Sequence, residues 1–183
     1  MRKLIVIMLI FAGVVFAANM LTNGDFEQDL SVGWDQTIAG IGTITRGTTY
    51  YPDPDYEAYV YKADGNGFVT LFQAVDVEHT DLVFSVDAKL YIFATSSQCW
   101  AGAAVCVSYL NASDAVLGWT RICTFSIACP WYSNDTCHVI EAPDTSWHSY
   151  TFNIEDELQS LPGITPSEIA KIEVALLAQC FDD

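Results

Sequence analysis

Leu82-Val83-Phe84-Ser85-Val86-Asp87-Ala88-Lys89-Leu90-Tyr91-Ile92 is the stretch that decides the fold class. Leu82, Phe84, Val86, Ala88, Leu90 and Ile92 alternate with Val83, Ser85, Asp87, Lys89 and Tyr91. A strict period of two is that of a β-strand with one buried face, since successive side chains of a strand point to opposite sides of the sheet. The second face carries an aromatic ring and two charges.

Working outward, the pattern recurs. Thr37–Arg46 reads as an early strand and Glu57–Lys62 as another. Asp64-Gly65-Asn66-Gly67 is a turn and Phe68–Val77 its return strand, so the two runs are expected to form a hairpin. Ala103–Leu110 and Val116–Ile127 flank an Asn111-Ala112-Ser113-Asp114 turn. Trp147–Ile154 and Lys171–Ala178 complete the strands. Helix is confined to a turn at Glu155–Ser160 and one at Thr165-Pro166-Ser167-Glu168, a capping-box pattern with proline at the first helical position. Many short strands with turns between them make this an all-β chain, a two-sheet antiparallel β-sandwich of the jelly-roll kind.

The chain has 183 residues, and its first seventeen read as a secretory signal peptide. Arg2 and Lys3 precede the uncharged Leu4–Phe16, and Val15-Phe16-Ala17 is a signal-peptidase pattern. About thirteen apolar residues fall short of the roughly 20 that span a bilayer. Residues 18–183 then form one domain of 183 − 17 = 166 residues, and the expected location is extracellular. Of the 7 Lys and Arg against 23 Asp and Glu, two leave with the signal, so the remaining formal charge is 5 − 23 = −18. Such an excess of acid disfavours nucleic acid, whose phosphates need a basic surface. It suits calcium, a neutral ligand such as a glycan, or solubility alone.

Six cysteines (Cys99, Cys106, Cys123, Cys129, Cys137, Cys180) in an exported chain read as disulfides. Cys106 with Cys123 across the Asn111 turn, Cys129 with Cys137 around a loop, and Cys99 with Cys180 is the pairing expected. A zinc site lacks the usual CxxC spacing.

Leu21-Thr22-Asn23-Gly24-Asp25-Phe26-Glu27 joins a turn signal, an apolar anchor and two carboxylates, with Gly33-Trp34 shortly after. Together with Gln73-Ala74-Val75, Leu82–Leu90, Trp147…Phe152, Ile172…Leu176 and a terminal Asp-Asp, this order resembles the galactose-binding-like jelly rolls. In particular, it resembles carbohydrate-binding modules of the families 4/9 and 22 type. The resemblance implies a structural calcium tying the first strand to the last. Glu27 and Asp182 would supply carboxylates, and Asn23, Asp25 or their neighbours further oxygens; calcium takes six to eight hard oxygens. Two departures accompany it: relatives run a further strand after the Asp-Asp pair, and they are commonly joined to a hydrolase.

For function, glycan binding needs exposed rings beside polar groups, because sugars offer flat apolar faces and hydroxyls. Tyr50, Tyr51, Tyr56, Trp131 and Tyr132 on loops, and Asp87, Lys89 and Tyr91 on the outer strand face, are the candidates. Trp100 and Trp119 are further rings of the same type. A second reading is a self-assembling subunit of an extracellular filament, sheath or surface layer, completed by strand exchange between copies. A hydrolase would need two facing carboxylates, and the spacing of Glu57, Glu141 and Glu173 singles out no pair; no catalytic residue is expected. Asn111-Ala112-Ser113 and Asn134-Asp135-Thr136 are glycosylation sequons.

Overall fold

A computed structural model describes residues 19–49, 55–63, 65–93 and 99–182, with only the backbone of Cys99 and Asp182. The expected signal peptide, Tyr50 and Tyr51 lie outside the described residues. Among the described residues there are ten strands: β1 Asp35–Ala39, β2 Gly42–Gly47, β3 Glu57–Lys62, β4 Gly67–Asp76, β5 Val83–Ala88, β6 Cys99–Leu110, β7 Val116–Phe125, β8 Cys137–Glu141, β9 His148–Asn153 and β10 Lys171–Asp182. A single α-helical turn, α1 (Ile154–Glu157), and two 3₁₀ turns account for the helix among the described residues.

Six strands form the larger sheet in the order β1-β4-β10-β6-β7-β8, while β2-β3 and β5-β9 pair separately. The inner face of the large sheet carries Leu71, Val105, Val107, Tyr109, Ile122, Ile172 and Val174. Against it pack Ile44, Ala58 and Val60 from β2-β3, and Phe84, Val86, Ala88, Tyr150 and Phe152 from β5-β9. This is a β-sandwich with one core between its layers. The Leu82–Ile92 alternation is realised as read: Phe84 is buried, its ring centroid 5.2 Å from that of Phe152, while Val83 on the other face is 70% exposed. The strand itself ends at Ala88, short of the run expected from the pattern.

The hairpin expected between Glu57–Lys62 and Phe68–Val77 does not form. β3 pairs with β2, and β4 with β1 and β10. The chain crosses between layers twice, at Gly40 (φ +90°) and at Gly67 (φ +132°), side by side. A Cβ on Gly67 would stand 2.1 Å from the Ala39 carbonyl oxygen, so only glycine passes there. The early strand Thr37–Arg46 is accordingly two strands in different layers. The Asn111 turn forms as read, its Oδ1 accepting the Ser113 and Ala115 amides at 2.9 and 3.1 Å. The Thr165 turn forms too, but without a side-chain cap bond. The sequence reading has no counterpart to β8, which joins β7 in parallel.

Candidate functional site

The opening stretch is built around Asn23, which is 8% exposed and lies at φ +52°. Its Nδ2 donates to the carbonyls of Gln28 (3.2 Å), Asp29 (3.1 Å) and Val32 (3.4 Å), and its Oδ1 accepts the Gln28 amide at 2.8 Å. Its own carbonyl accepts Trp34 Nε1 at 3.0 Å. Gln73 on β4 clamps Thr22 through both amide atoms, at 2.7 and 2.9 Å, and so fixes the stretch to the sheet. Phe26 then meets Trp34 with centroids 5.2 Å apart.

These contacts do not fit the expected calcium ion. Arg46 on β2 donates to the Phe26 carbonyl and, at 2.7 Å, to the Glu27 carbonyl. A guanidinium thus holds two backbone carbonyls next to the expected ligands, and a second positive charge on the same carbonyls is repelled. Glu27 Oε1 accepts the Tyr56 amide at 3.2 Å, and Asp25 accepts the Glu27 amide at 3.3 Å. Asp182 is remote: it follows Val174, the partner of Gln73, by eight residues along β10. At roughly 3.3 Å per residue that is about 26 Å. Among the described residues no group of three or more His, Cys, Asp and Glu is placed to hold a metal.

What the same contacts do build is a cleft of about 270 Å³ at the mouth of the sandwich, between β1 and β2. Asp29, Ser31, Gln36, Thr45 and Arg46 line it with polar groups, and Leu30, Trp34, Ile44 and Leu71 with apolar ones. Asp29 is held ionised: the Ser31 amide (2.9 Å) and hydroxyl (2.7 Å) donate to it, pulling its carboxyl below its ordinary value. Tyr56 closes over Arg46, with the guanidinium carbon 3.2 Å from the ring centroid. The cleft is small beside the roughly 300–1,000 Å³ of drug-sized sites, so it suits one ring-sized group with the rest of a ligand outside.

Outside it, the chain offers a continuation. Thr45 lines the cleft and is also the register partner of Tyr59, as Thr43 is of Tyr61. Tyr59 and Tyr61 point outward, because Ala58 and Val60 between them face the core. Their rings are parallel within 8° at a centroid distance of 6.3 Å, and Tyr61 is 47% exposed. Two exposed threonine hydroxyls therefore lie beside a tyrosine pair that leads into a polar cleft.

The other ring-bearing candidates are scattered. Tyr56 is 39% exposed and sits on Arg46. Asp87, which accepts the Ser149 hydroxyl, lies on the outer face of β5-β9; Lys89 and Tyr91 follow β5 and are exposed. Tyr132 is exposed, but Trp131 in the same loop is 8% exposed and is part of a second apolar cluster on the outer face of the large sheet. There it packs on Gly102, where a Cβ would come within 2.6 Å of the indole. The loop ring expected to meet a ligand is a packing residue, so Trp131 does not stand with Asp87 and Tyr91, which belong to the opposite layer. The carboxylates are equally dispersed. Glu141 on β8 and Glu173 on β10 are three strands apart, and Glu141 lies four residues beyond the position in line with Glu173, so about 20 Å separates them at roughly 4.8 Å per strand and 3.3 Å per residue.

Sequence reasoning missed Asp29, Ser31, Gln36, Thr43, Thr45, Tyr59 and Tyr61. The parity of Tyr59 and Tyr61 was visible in the strand Glu57–Lys62, but their neighbours depended on β2 being the partner.

The comparisons with known proteins bear on the fold. No protein-family model and no curated protein matches the chain. Among solved structures it is similar to the Bacteriophage CBA120 tailspike protein 4 enzymatically active domain, at 13% identity and a TM-score of 0.50. The match covers 88% of this chain but 19% of that one. The likeness is one of fold.

Proposed function

We propose that the protein is a secreted, non-catalytic jelly-roll module that binds a carbohydrate through the β2-β3 tyrosine face and the adjoining cleft. The observation carrying this reading is the run Tyr61–Tyr59–Thr45 into the cleft of Asp29 and Gln36. Parallel phenol rings take the apolar faces of sugar rings, and hydroxyl, amide and carboxylate groups take their hydroxyls. An acidic surface leaves a neutral glycan free to approach. The resemblance to carbohydrate-binding modules of families 4/9 and 22 type points the same way. So does the fold shared with part of a tailspike domain.

Affinity electrophoresis of the protein through gels of soluble neutral polysaccharides is the test. Retardation on at least one, weakened about tenfold by Tyr61→Ala (roughly 1.4 kcal/mol), is expected. No retardation on any, or retardation indifferent to Tyr59→Ala and Tyr61→Ala, refutes the assignment. The alternative reading, a self-assembling subunit, rests on the sheet edges: among the described residues β1 pairs only with β4 and β8 only with β7. Unpaired edges are templates for strand addition. Mass growth with concentration in light scattering supports it; a strict monomer at high concentration counts against it.

A further inference from the structure

The outer face of the large sheet carries a feature that carbohydrate binding does not use. Cys106, Cys123, Cys129 and Cys137 gather there around Arg121, whose guanidinium lies over Trp119 and Trp131 at 5.1 and 5.0 Å from their centroids. The thiols are free in this structure, and Cys106, Cys123 and Cys137 are buried.

The register decides which of them can meet. Cys106 stands opposite Arg121, and Cys123 opposite Ala104, so these two are diagonal neighbours rather than the facing pair expected from the turn. Diagonal neighbours are about 7–8 Å apart, with Cβ atoms somewhat closer, against the roughly 3.5–4.5 Å between the Cβ atoms of a disulfide. Cys137 stands opposite Trp119 on β8, with β7 between it and Cys106. Two strand spacings, about 9.6 Å, exceed the ~6.8 Å reach between bridged Cα atoms. Cys180 is opposite Ala101, while Cys99 is opposite Asp182, two positions on; their expected bond is diagonal as well.

Cys129 differs because no ladder confines it. The chain leaves β7, pairs once more through Ser126 and Ala101, and reverses in a turn closed by the Cys129 amide on the Ser126 carbonyl at 2.9 Å. That reversal folds Cys129 back onto the apolar cluster that contains Cys123. Beyond it comes Trp131, seated edge-on to Phe125 and Trp100, at 6.2 and 6.4 Å.

We infer that Cys123 and Cys129 form a disulfide that fastens the Trp131 loop to β7, leaving Cys106 and Cys137 as thiols. The oxidant is a small-molecule or protein disulfide. Cys129, the less buried of the two, gives up its proton and attacks one sulfur of that oxidant, which leaves as a thiol and a mixed disulfide. The Cys123 thiolate then attacks Cys129 Sγ and expels the second thiol. Two protein thiols and one external disulfide become one protein disulfide and two external thiols. Burial pushes Cys123 up to about 12, so the order of attack begins at Cys129. The bond anchors a segment whose backbone is otherwise lightly tied, and keeps the indole over Gly102 and Arg121.

The full chain is equilibrated with oxidised glutathione, unfolded in guanidinium chloride and alkylated so that every free thiol reacts, and digested with chymotrypsin, which cuts after Phe125 and Trp131 and so separates the two cysteines. Expected is a link between the Cys123 and Cys129 fragments that a reductant cleaves, both cysteines being unalkylated, with Cys106 and Cys137 alkylated. Cys129→Ser is expected to restore alkylation of Cys123 and leave Cys106 unchanged; reducing the parent is expected to red-shift tryptophan emission. A link from Cys123 to Cys106, or from Cys129 to Cys137 or Cys180, overturns the inference. Full alkylation of Cys123 and Cys129 after equilibration does the same. None of these outcomes depends on whether a glycan binds.

Discussion

Replacing Asn23 by alanine tests the opening stretch as a fastening built from side-chain hydrogen bonds rather than from a metal ion. The amide makes one accepted bond to the Gln28 amide and shares its two N–H groups among three carbonyls. Counting three bonds at about 1 kcal/mol each gives roughly 3 kcal/mol. Alanine must also hold φ +52°, at a cost of about 1 kcal/mol over asparagine, which tolerates the left-handed region. The sum is about 4 kcal/mol. For a domain of this size each kcal/mol moves Tm by roughly 2–4 °C, so a fall of about 8–16 °C is expected. Asn23→Gly is expected to fall about 1 kcal/mol less, since glycine is at ease at positive φ. Asn23→Asp is expected to do no better than alanine at neutral pH. It keeps the acceptor for Gln28 but turns an anionic oxygen toward three carbonyls, and recovers on acidification as the carboxyl gains a proton to donate. Urea unfolding of the three variants is the assay. An alanine variant within about 0.5 kcal/mol of the parent refutes the reasoning. An aspartate variant stabilised at neutral pH would mean that a cation, not an amide, belongs there.

Three further outcomes follow from the same contacts. Chelation with EDTA is expected to leave the thermal midpoint unchanged, because Arg46 already holds the Phe26 and Glu27 carbonyls; a fall on chelation, restored by added calcium, would contradict this. Gly102→Ala drives a Cβ to within 2.6 Å of Trp131, so a loss of about 1–3 kcal/mol and a red-shifted tryptophan emission are expected, and an unchanged spectrum would count against the seating of the ring. Burial raises the Glu173 carboxyl above its ordinary value of 4.5. A raised acid binds protons more tightly in the folded state, so its contribution is present below the unfolded value and is lost as pH rises through the folded one. Glu173→Gln is therefore expected to stabilise the protein at neutral pH and not below about pH 4, where the carboxyl is protonated in either state; equal effects at both pH values would exclude desolvation as the cause.

Much of the sandwich was legible in local pattern. The face of Leu82–Ile92 that meets the core, the outward parity of Tyr59 and Tyr61, the Asn111 turn and the scarcity of helix among the described residues follow from alternation and turn chemistry, which act over a few residues. The importance of Asn23–Glu27 was also visible, though its chemistry was not. A turn that gathers carboxylates reads as a cation site, and nothing local reveals that Arg46, on another strand, reaches the same carbonyls. Trp131 was misread for a similar reason. A tryptophan on a loop has no periodicity to give away its burial, and the bare backbone of Gly102 that receives it lies on β6.

The sequence by itself determined most of the strands, their faces and the Asn111 turn, because these depend on side-chain alternation and on local side-chain-to-backbone hydrogen bonds; it did not show β8 or the break between β1 and β2. Only the tertiary structure decided which strands are partners. A strand's two edges carry the same amide and carbonyl groups, so β3 could pair with β4 as well as with β2 until the crossings at Gly40 and Gly67 placed them in different layers. That choice set the threonines beside the tyrosines and opened the cleft between β1 and β2. It also put Cys123 diagonal to Cys106 rather than opposite it.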